Sequence, residues 1–192
     1  MKYVKILGLA AVAAMALMAF AASSASATTL VGESPERTLG NGDVIDFSIP
    51  SGKSAVLVNT ANEEIDTCST STVKGKLSTG TTGTIEELTW GSCTFPTNTI
   101  TKGKLEAVST GGTTGEVKAD ATIEVTINTV FFGSCIYGVT SGAKVGTLAG
   151  NPAVFTANAV AEKFSGSAFA CPSTSKWTGT YNATSTNTHI EP

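Results

Sequence analysis

One segment of this sequence alternates between polar and apolar side chains without a break from Glu116 to Ile127. Successive side chains of a β-strand point to opposite faces, whereas side chains of a helix repeat every ~3.6 residues. The alternation therefore predicts a strand over Glu116–Val130, with one face in a core and the other in water. This arrangement is typical of an antiparallel sheet. The predicted core face carries Val117, Ala119, Ala121, Ile123, Val125 and Ile127.

Nine further segments show strand signals, because they are short, rich in alternating or β-branched residues, and bounded by Gly, Asn, Ser or Pro. They are Val44–Ile49, Ser54–Asn59, Val73–Ser78, Thr84–Trp90, Ile100–Val108, Ile136–Val139, Val145–Leu148, Ala153–Phe164 and Trp177–Thr184. Short strands at this spacing predict a single all-β domain, either an antiparallel β-sandwich or a closed β-barrel. Pro50–Lys53 joins the first two segments and predicts a hairpin between them.

The four cysteines of the chain are Cys68, Cys93, Cys135 and Cys171. An even number in a secreted chain predicts two disulfides, with three connectivities open. Strands that are neighbours in sequence are usually neighbours in space, which favours Cys68–Cys93 and Cys135–Cys171. No C-x-x-C or Cys/His cluster is present in the sequence, so we expect structural cross-links rather than a metal or redox site.

The first 27 residues have the organisation of a secretory signal peptide. Lys2 and Lys5 precede an apolar run over Ile6–Ala22, and Ala25 and Ala27 lie at the two positions that signal peptidase reads. An uncleaved membrane anchor is the alternative. The run is Ala-rich and ends in small polar residues, which favours cleavage after Ala27. We expect a secreted, extracellular protein, with the cell wall as a site of association and no membrane insertion after cleavage.

The expected domain organisation is a signal peptide (1–27), an N-terminal lead-in (28–42), the all-β domain (43–184) and a flexible C-terminal tail (185–192). After residue 27, 10 of the 12 basic residues remain against 15 acidic ones, a net charge of −5. Since the basic residues are not clustered, nucleic acid is not an expected partner.

The sequence contains no pattern that predicts an enzyme, a cofactor or a metal site. His189 is the single histidine and lies in a Thr/Asn/Ser-rich tail, which does not hold an imidazole for a Ser-His-Asp arrangement. The pairs Glu63-Glu64 and Glu86-Glu87 consist of adjacent residues, so on a strand their carboxylates point to opposite faces. We therefore expect a non-catalytic protein that acts through its surface at the cell envelope.

A ligand-binding role is the alternative, and Trp177, Gly179 and Tyr181 carry it because they share one strand face. The bare glycine leaves a slot between two rings, where a glycan or a small molecule could stack, with Trp90 and Tyr137 as further candidate contacts. The competing interpretation is that an aromatic ring covers the strand glycine inside the core.

Four motifs follow one another in order after residue 27. They are Cys68 followed by Ser71-Thr72, Trp90-Gly91-Ser92-Cys93, Cys135-Ile136-Tyr137-Gly138, and Cys171-Pro172 ahead of Trp177-Thr178-Gly179-Thr180-Tyr181. This order resembles that in a group of small secreted actinobacterial proteins of unknown function. The resemblance implies an all-β fold, a signal peptide and two disulfides, and it carries over no active site.

Overall fold

The computed structural model describes residues 29–33, 36–79, 82–95, 97–100, 104–111, 113–129, 133–165, 171–184 and 189–191. Within these residues the regular secondary structure consists of β-strands, and no helix in them is long and apolar enough to span a membrane. The predicted signal peptide, residues 1–27, lies outside the described residues.

The strands are β1 (Thr29–Glu33), β2 (Glu36–Thr38), β3 (Val44–Ser48), β4 (Ala55–Val58), β5 (Glu64–Leu77), β6 (Thr82–Cys93), β7 (Thr97–Ile100), β8 (Lys104–Gly111), β9 (Thr114–Ala121), β10 (Ile123–Thr129), β11 (Gly133–Val139), β12 (Lys144–Ala149), β13 (Val154–Ser165), β14 (Thr174–Ala183) and β15 (His189–Glu191).

Twelve of these strands, β3 to β14, form one antiparallel sheet. Several are two segments of one pass through the sheet. For example, β3 and β4 pair in succession with β5. In the same way β7 and β8 pair with β10 and β9, and β11 and β12 both pair with β13. The four pairs that each form one pass are therefore β3 with β4, β7 with β8, β9 with β10, and β11 with β12. Merging them reduces the twelve strands to eight antiparallel passes, and each pass lies beside the next one in sequence.

The sheet closes on itself. β14 pairs with β13 on one side and with β3 and β4 on the other, while β6 pairs with β8 over Thr82–Thr84. The all-β fold predicted from the sequence is confirmed, and of the two predicted architectures the pairings give the closed barrel. Eight strands enclose a space that side chains can just fill.

The predicted hairpin between β3 and β4 is wrong. Val44–Ser48 pairs with one half of β5 and Ala55–Val58 pairs with the other half, so β3 and β4 run in the same direction along one strand. Residues 49–54 are a detour out of the sheet rather than a turn that reverses the chain. The turn signals in Pro50–Lys53 are used to make that detour.

The long alternating segment is confirmed as strand. It forms β9 and β10, which are separated at Thr122. Val117, Ala119, Ile123, Val125 and Ile127 of the predicted core face are all buried. The period of two therefore continues across the break, because both strands keep the same face toward the barrel interior.

We call the end of the barrel where the chain enters before β3 and leaves after β14 the entry end. The β5–β6, β8–β9 and β12–β13 turns also lie there. Strands from the predicted N-terminal lead-in and from the predicted flexible tail form a separate three-stranded sheet in the order β15-β1-β2. Its register pairs Thr29 with Glu191 and Val31 with Thr38, so backbone groups of both chain ends are paired with one another.

Both predicted disulfides are confirmed. Cys68 and Cys93 are a register pair between β5 and β6. Cys135 on β11 is bonded to Cys171, which precedes β14, with a Cα–Cα distance of 5.7 Å. Because β13 lies between β11 and β14 in the sheet, the second disulfide spans a neighbouring strand. Paired disulfides of this kind are typical of extracellular proteins.

Candidate functional site

Aromatic side chains fill the middle of the barrel. Phe155 on β13 lies next to Trp177 and Tyr181 on β14, with ring centroids 6.1 Å and 5.7 Å away. Phe47 on β3 contacts Phe155 at 6.1 Å, and Trp90 on β6 contacts Trp177 at 5.9 Å. Offset and edge-to-face contacts at these distances are favourable beyond the area that the rings bury. The five rings therefore join four separate strands through the interior.

A directed chain of hydrogen bonds runs through this aromatic cluster. Ser71 Oγ donates to the carbonyl oxygen of Thr89 at 2.9 Å, and it lies 3.0 Å from the hydroxyl of Tyr181. Trp177 Nε1 donates to the same hydroxyl at 3.1 Å. Each hydroxyl carries a single proton, so Tyr181 donates to Ser71. Burial raises the pKa of Tyr181 to about 12, because the phenolate would lose its hydration.

The four predicted ligand contacts do not form a surface slot. Tyr181 and Tyr137 are 0% and 1% exposed, and Trp177 is 7% exposed. A Cβ at Gly179 would lie 2.9 Å from Cε2 of Tyr181, so the ring covers the glycine from inside the core. Trp90 is half-buried and joins the cluster through Trp177. Ligand binding by these residues stays a prediction.

Tyr137 is separate from the other three predicted contacts. It lies on β11 and makes no ring contact with another described residue. Its buried hydroxyl has no hydrogen-bond partner in the part of the chain that the structure describes, and burial raises its pKa to about 12. The ring therefore acts as packing in the part of the barrel near the Cys135–Cys171 disulfide.

An apolar cavity of about 50 Å³ lies at the entry end. Phe47 and Phe155 of the aromatic cluster form part of its lining, and strands β3, β5, β6, β8, β9 and β12 supply the rest. Its side chains are apolar apart from Thr84, which is exposed. The aliphatic members of the lining are Ile45, Val73, Leu77, Ile85, Leu105, Ala107, Val117 and Leu148. A space lined in this way holds apolar groups better than water.

Two glycines on neighbouring strands leave part of the cavity wall as bare backbone. Gly75 on β5 and Gly83 on β6 both line the cavity. A Cβ at Gly83 would lie 3.1 Å from Cδ2 of Leu77, and a Cβ at Gly75 would lie 3.3 Å from the carbonyl oxygen of Thr84. Side chains are therefore disfavoured at both positions, and the strands approach each other closely there.

The acidic pairs considered in the sequence make local contacts. Glu63 accepts a hydrogen bond from Asn59 at 2.7 Å, and Glu64 accepts one from Thr67 at 3.1 Å. Glu87 forms an exposed ion pair with Lys74 at 3.2 Å. These contacts are exposed, and Glu63, Glu64 and Glu87 each contact a different neighbouring side chain rather than forming a shared site.

The buried carboxylate of Asp66 lies close to the sulfur atoms of Cys68 and Cys93, and all three are of residue types that bind metals. Its Oδ1 accepts hydrogen bonds from the backbone N–H groups of Thr67 and Phe95 at 2.9 Å and 3.0 Å. Both sulfur atoms are in a disulfide, and only a thiolate is a good metal ligand. The arrangement therefore anchors the Phe95 segment to β5.

Comparison of the chain with protein-family models, with curated proteins and with solved structures finds no match.

Proposed function

We propose that this protein is an exported, non-catalytic β-barrel that binds a small apolar ligand at its entry end. The observation that carries the proposal is the apolar cavity with Phe47 and Phe155 in its lining. Each Å² of apolar surface removed from water is favourable by ~25 cal/mol. A cavity of roughly 150 Å³ holds benzene in another protein, and this one has about 50 Å³. The end of an alkyl chain is therefore the class of group that suits it.

Export is part of the same proposal. The charged, apolar and small-residue regions within residues 1–27 support a cleaved signal peptide. The two disulfides support an oxidising compartment. An extracellular or cell-wall location would bring the barrel into contact with apolar compounds outside the cell.

A titration with 1-hexanol, followed by the methyl resonances of the folded protein, tests the binding proposal. We expect saturable shifts at Val73, Leu77 and Leu148, since these residues line the cavity. Ala107→Leu should abolish the shifts, because Ala107 also lines the cavity and the larger side chain fills it. Ala61→Leu makes the same change at an exposed turn residue and should leave binding intact.

Either of two outcomes would contradict the proposal. One is a linear, non-saturating shift at these methyl groups. The other is equal binding by the folded Ala107→Leu variant and the Ala61→Leu control. If Ala107→Leu does not fold, Ala107→Val makes a smaller change of the same kind and should weaken binding partially.

A second candidate function is a scaffold that acts through its outer surface at the cell envelope. The aromatic cluster favours it, because Trp177 and Tyr181 are committed to the core and the middle of the barrel is filled. Glycan stacking on these two rings would require them to leave that core. The outer wall is therefore the better place to look for recognition of a polar partner.

A further inference from the structure

The outer wall of the barrel has a groove where the pass formed by β3 and β4 leaves the sheet. β14 pairs with β4 over Lys176–Thr178 and with β3 over Asn182–Ala183. Residues 179–181 lie between these two ladders and pair with β13 on their other side. The groove lies beside the detour of residues 49–54 and has a volume of about 350 Å³. Small-ligand sites have volumes of roughly 300–1,000 Å³.

The floor of the groove is flat and its walls are polar. Ala157 and Gly179 are a register pair between β13 and β14 and both line the groove. Ala157 is 2% exposed and the Tyr181 ring covers Gly179 from the interior, so these two residues present backbone rather than side chains to the groove. Thr156, Asn158 and Thr180 also line it, and all three are exposed. Their hydroxyl and carboxamide groups both donate and accept hydrogen bonds. A ligand with many hydroxyl groups complements such walls.

The charge of the groove is positive. Lys53 from the detour and Lys176 from β14 line it, and none of the described lining residues is acidic. Neither lysine forms an ion pair with a described residue, in contrast to Lys74, which pairs with Glu87. The whole chain has a net charge of −3, so this positive region is a local feature that would attract anionic groups.

We propose that this groove binds an acidic polysaccharide. Its sugar hydroxyls lie against Thr156, Asn158 and Thr180, and its carboxylates lie at Lys53 and Lys176. The two lysines supply point charges on flexible stems, which accept carboxylates at varied spacing. Among the residues that the structure describes, the groove and the entry-end cavity share no lining residue, so a failure of either proposal leaves the other unaffected.

Calorimetric titration of the folded protein with an oligogalacturonate tests this proposal. The double variant Lys53→Gln/Lys176→Gln should bind roughly tenfold more weakly, since it removes the two lysine charges that would contact carboxylates of the ligand. The matched control is Lys76→Gln/Lys104→Gln, which changes the net charge equally at two exposed lysines outside the groove. The control should bind like the unchanged protein. Amide shifts on binding should centre on Lys53, Gly179 and Thr180, which also checks the site without a variant.

Three comparisons decide the outcome. A neutral dextran oligomer of equal length should bind at least about tenfold more weakly than the oligogalacturonate, and inorganic phosphate should compete only weakly. Equal losses in the two double variants would mean diffuse electrostatic attraction and would overturn the proposal. Phosphate binding as tight as that of the oligomer would mean that the groove is a small-anion site and would also overturn the proposal. The absence of any saturable heat would mean that the groove does not bind the oligomer.

Discussion

At the scale of single residues, Tyr181 takes part in both the aromatic packing and the hydrogen-bond chain of the barrel interior. Its ring packs against Phe155 and Trp177 and covers Gly179. Its hydroxyl accepts a hydrogen bond from Trp177 and lies in contact with Ser71. A buried polar group without a hydrogen bond costs free energy, so the ring and the hydroxyl of Tyr181 depend on the same neighbours.

Alkaline pH should destabilise the protein because burial raises the pKa of Tyr181 to about 12. An unfolded tyrosine ionises near pH ~10, so above that pH the unfolded state loses its proton while the folded state keeps it. The stabilisation from Tyr181 is therefore complete below pH ~10 and is lost as the pH rises toward ~12, at up to roughly 1.4 kcal/mol per pH unit. Urea unfolding at several pH values measures this slope. Tyr181→Phe should reduce it, although Tyr137 keeps its own contribution, and an unchanged slope would show that Tyr181 ionises freely in the folded state.

Trp177→Ala should lower the free energy of unfolding by about 3–5 kcal/mol, as is usual for deleting a large buried ring. Trp177 contacts Trp90, Phe155 and Tyr181, and its removal also takes a hydrogen bond from the Tyr181 hydroxyl. Denaturant unfolding monitored by circular dichroism measures the change. A loss below ~1 kcal/mol would mean that Trp177 is a surface residue in solution.

At the scale of strands, two disulfides cross-link the sheet in different ways. The Cys68–Cys93 disulfide joins β5 to β6 directly, whereas Cys135–Cys171 spans β13. Their sequence separations of 25 and 36 residues correspond to about 3–4 kcal/mol each in the chain-entropy model.

Removing either disulfide should therefore destabilise the barrel by about 3–4 kcal/mol, and removing both should approach the whole stability of a typical domain, ~5–15 kcal/mol. The paired variants Cys68→Ser/Cys93→Ser and Cys135→Ser/Cys171→Ser allow each cross-link to be tested alone. Thermal unfolding with and without a reductant completes the comparison. A melting temperature that stays constant when all four thiols are released would contradict this account.

Strands with an apolar period were predictable from the sequence, and strands without one were not. The apolar residues within Val44–Ile49 and Ser54–Asn59 predict β3 and β4. In contrast, β5 begins at Glu64, well before its predicted start at Val73. The segment from Glu64 to Thr72 is almost entirely polar. It forms a strand because β4 and β6 pair with it and because the buried side chains of Asp66 and Ser71 form hydrogen bonds with the backbone of Phe95 and Thr89. Such tertiary effects leave no local pattern.

At the scale of the whole molecule, closure of the barrel creates both candidate sites. The residues that line the entry-end cavity lie on different strands between Ile45 and Phe155, so no short sequence motif predicts the cavity. The glycines Gly75 and Gly83 are the one local signal, since glycine inside a strand marks a close backbone approach. The outer groove depends on the detour of residues 49–54, which the sequence presented as an ordinary hairpin turn.

A dry apolar cavity at the entry end of a barrel whose middle is filled with aromatic side chains underlies the binding proposal. A crystal of the protein placed under xenon pressure tests this most directly, because xenon enters apolar cavities that water leaves empty. We expect a xenon atom among Phe47, Leu148 and Phe155, and none there in the Ala107→Leu variant. Ordered water at that position, or side chains that close the space with no xenon bound, would contradict it.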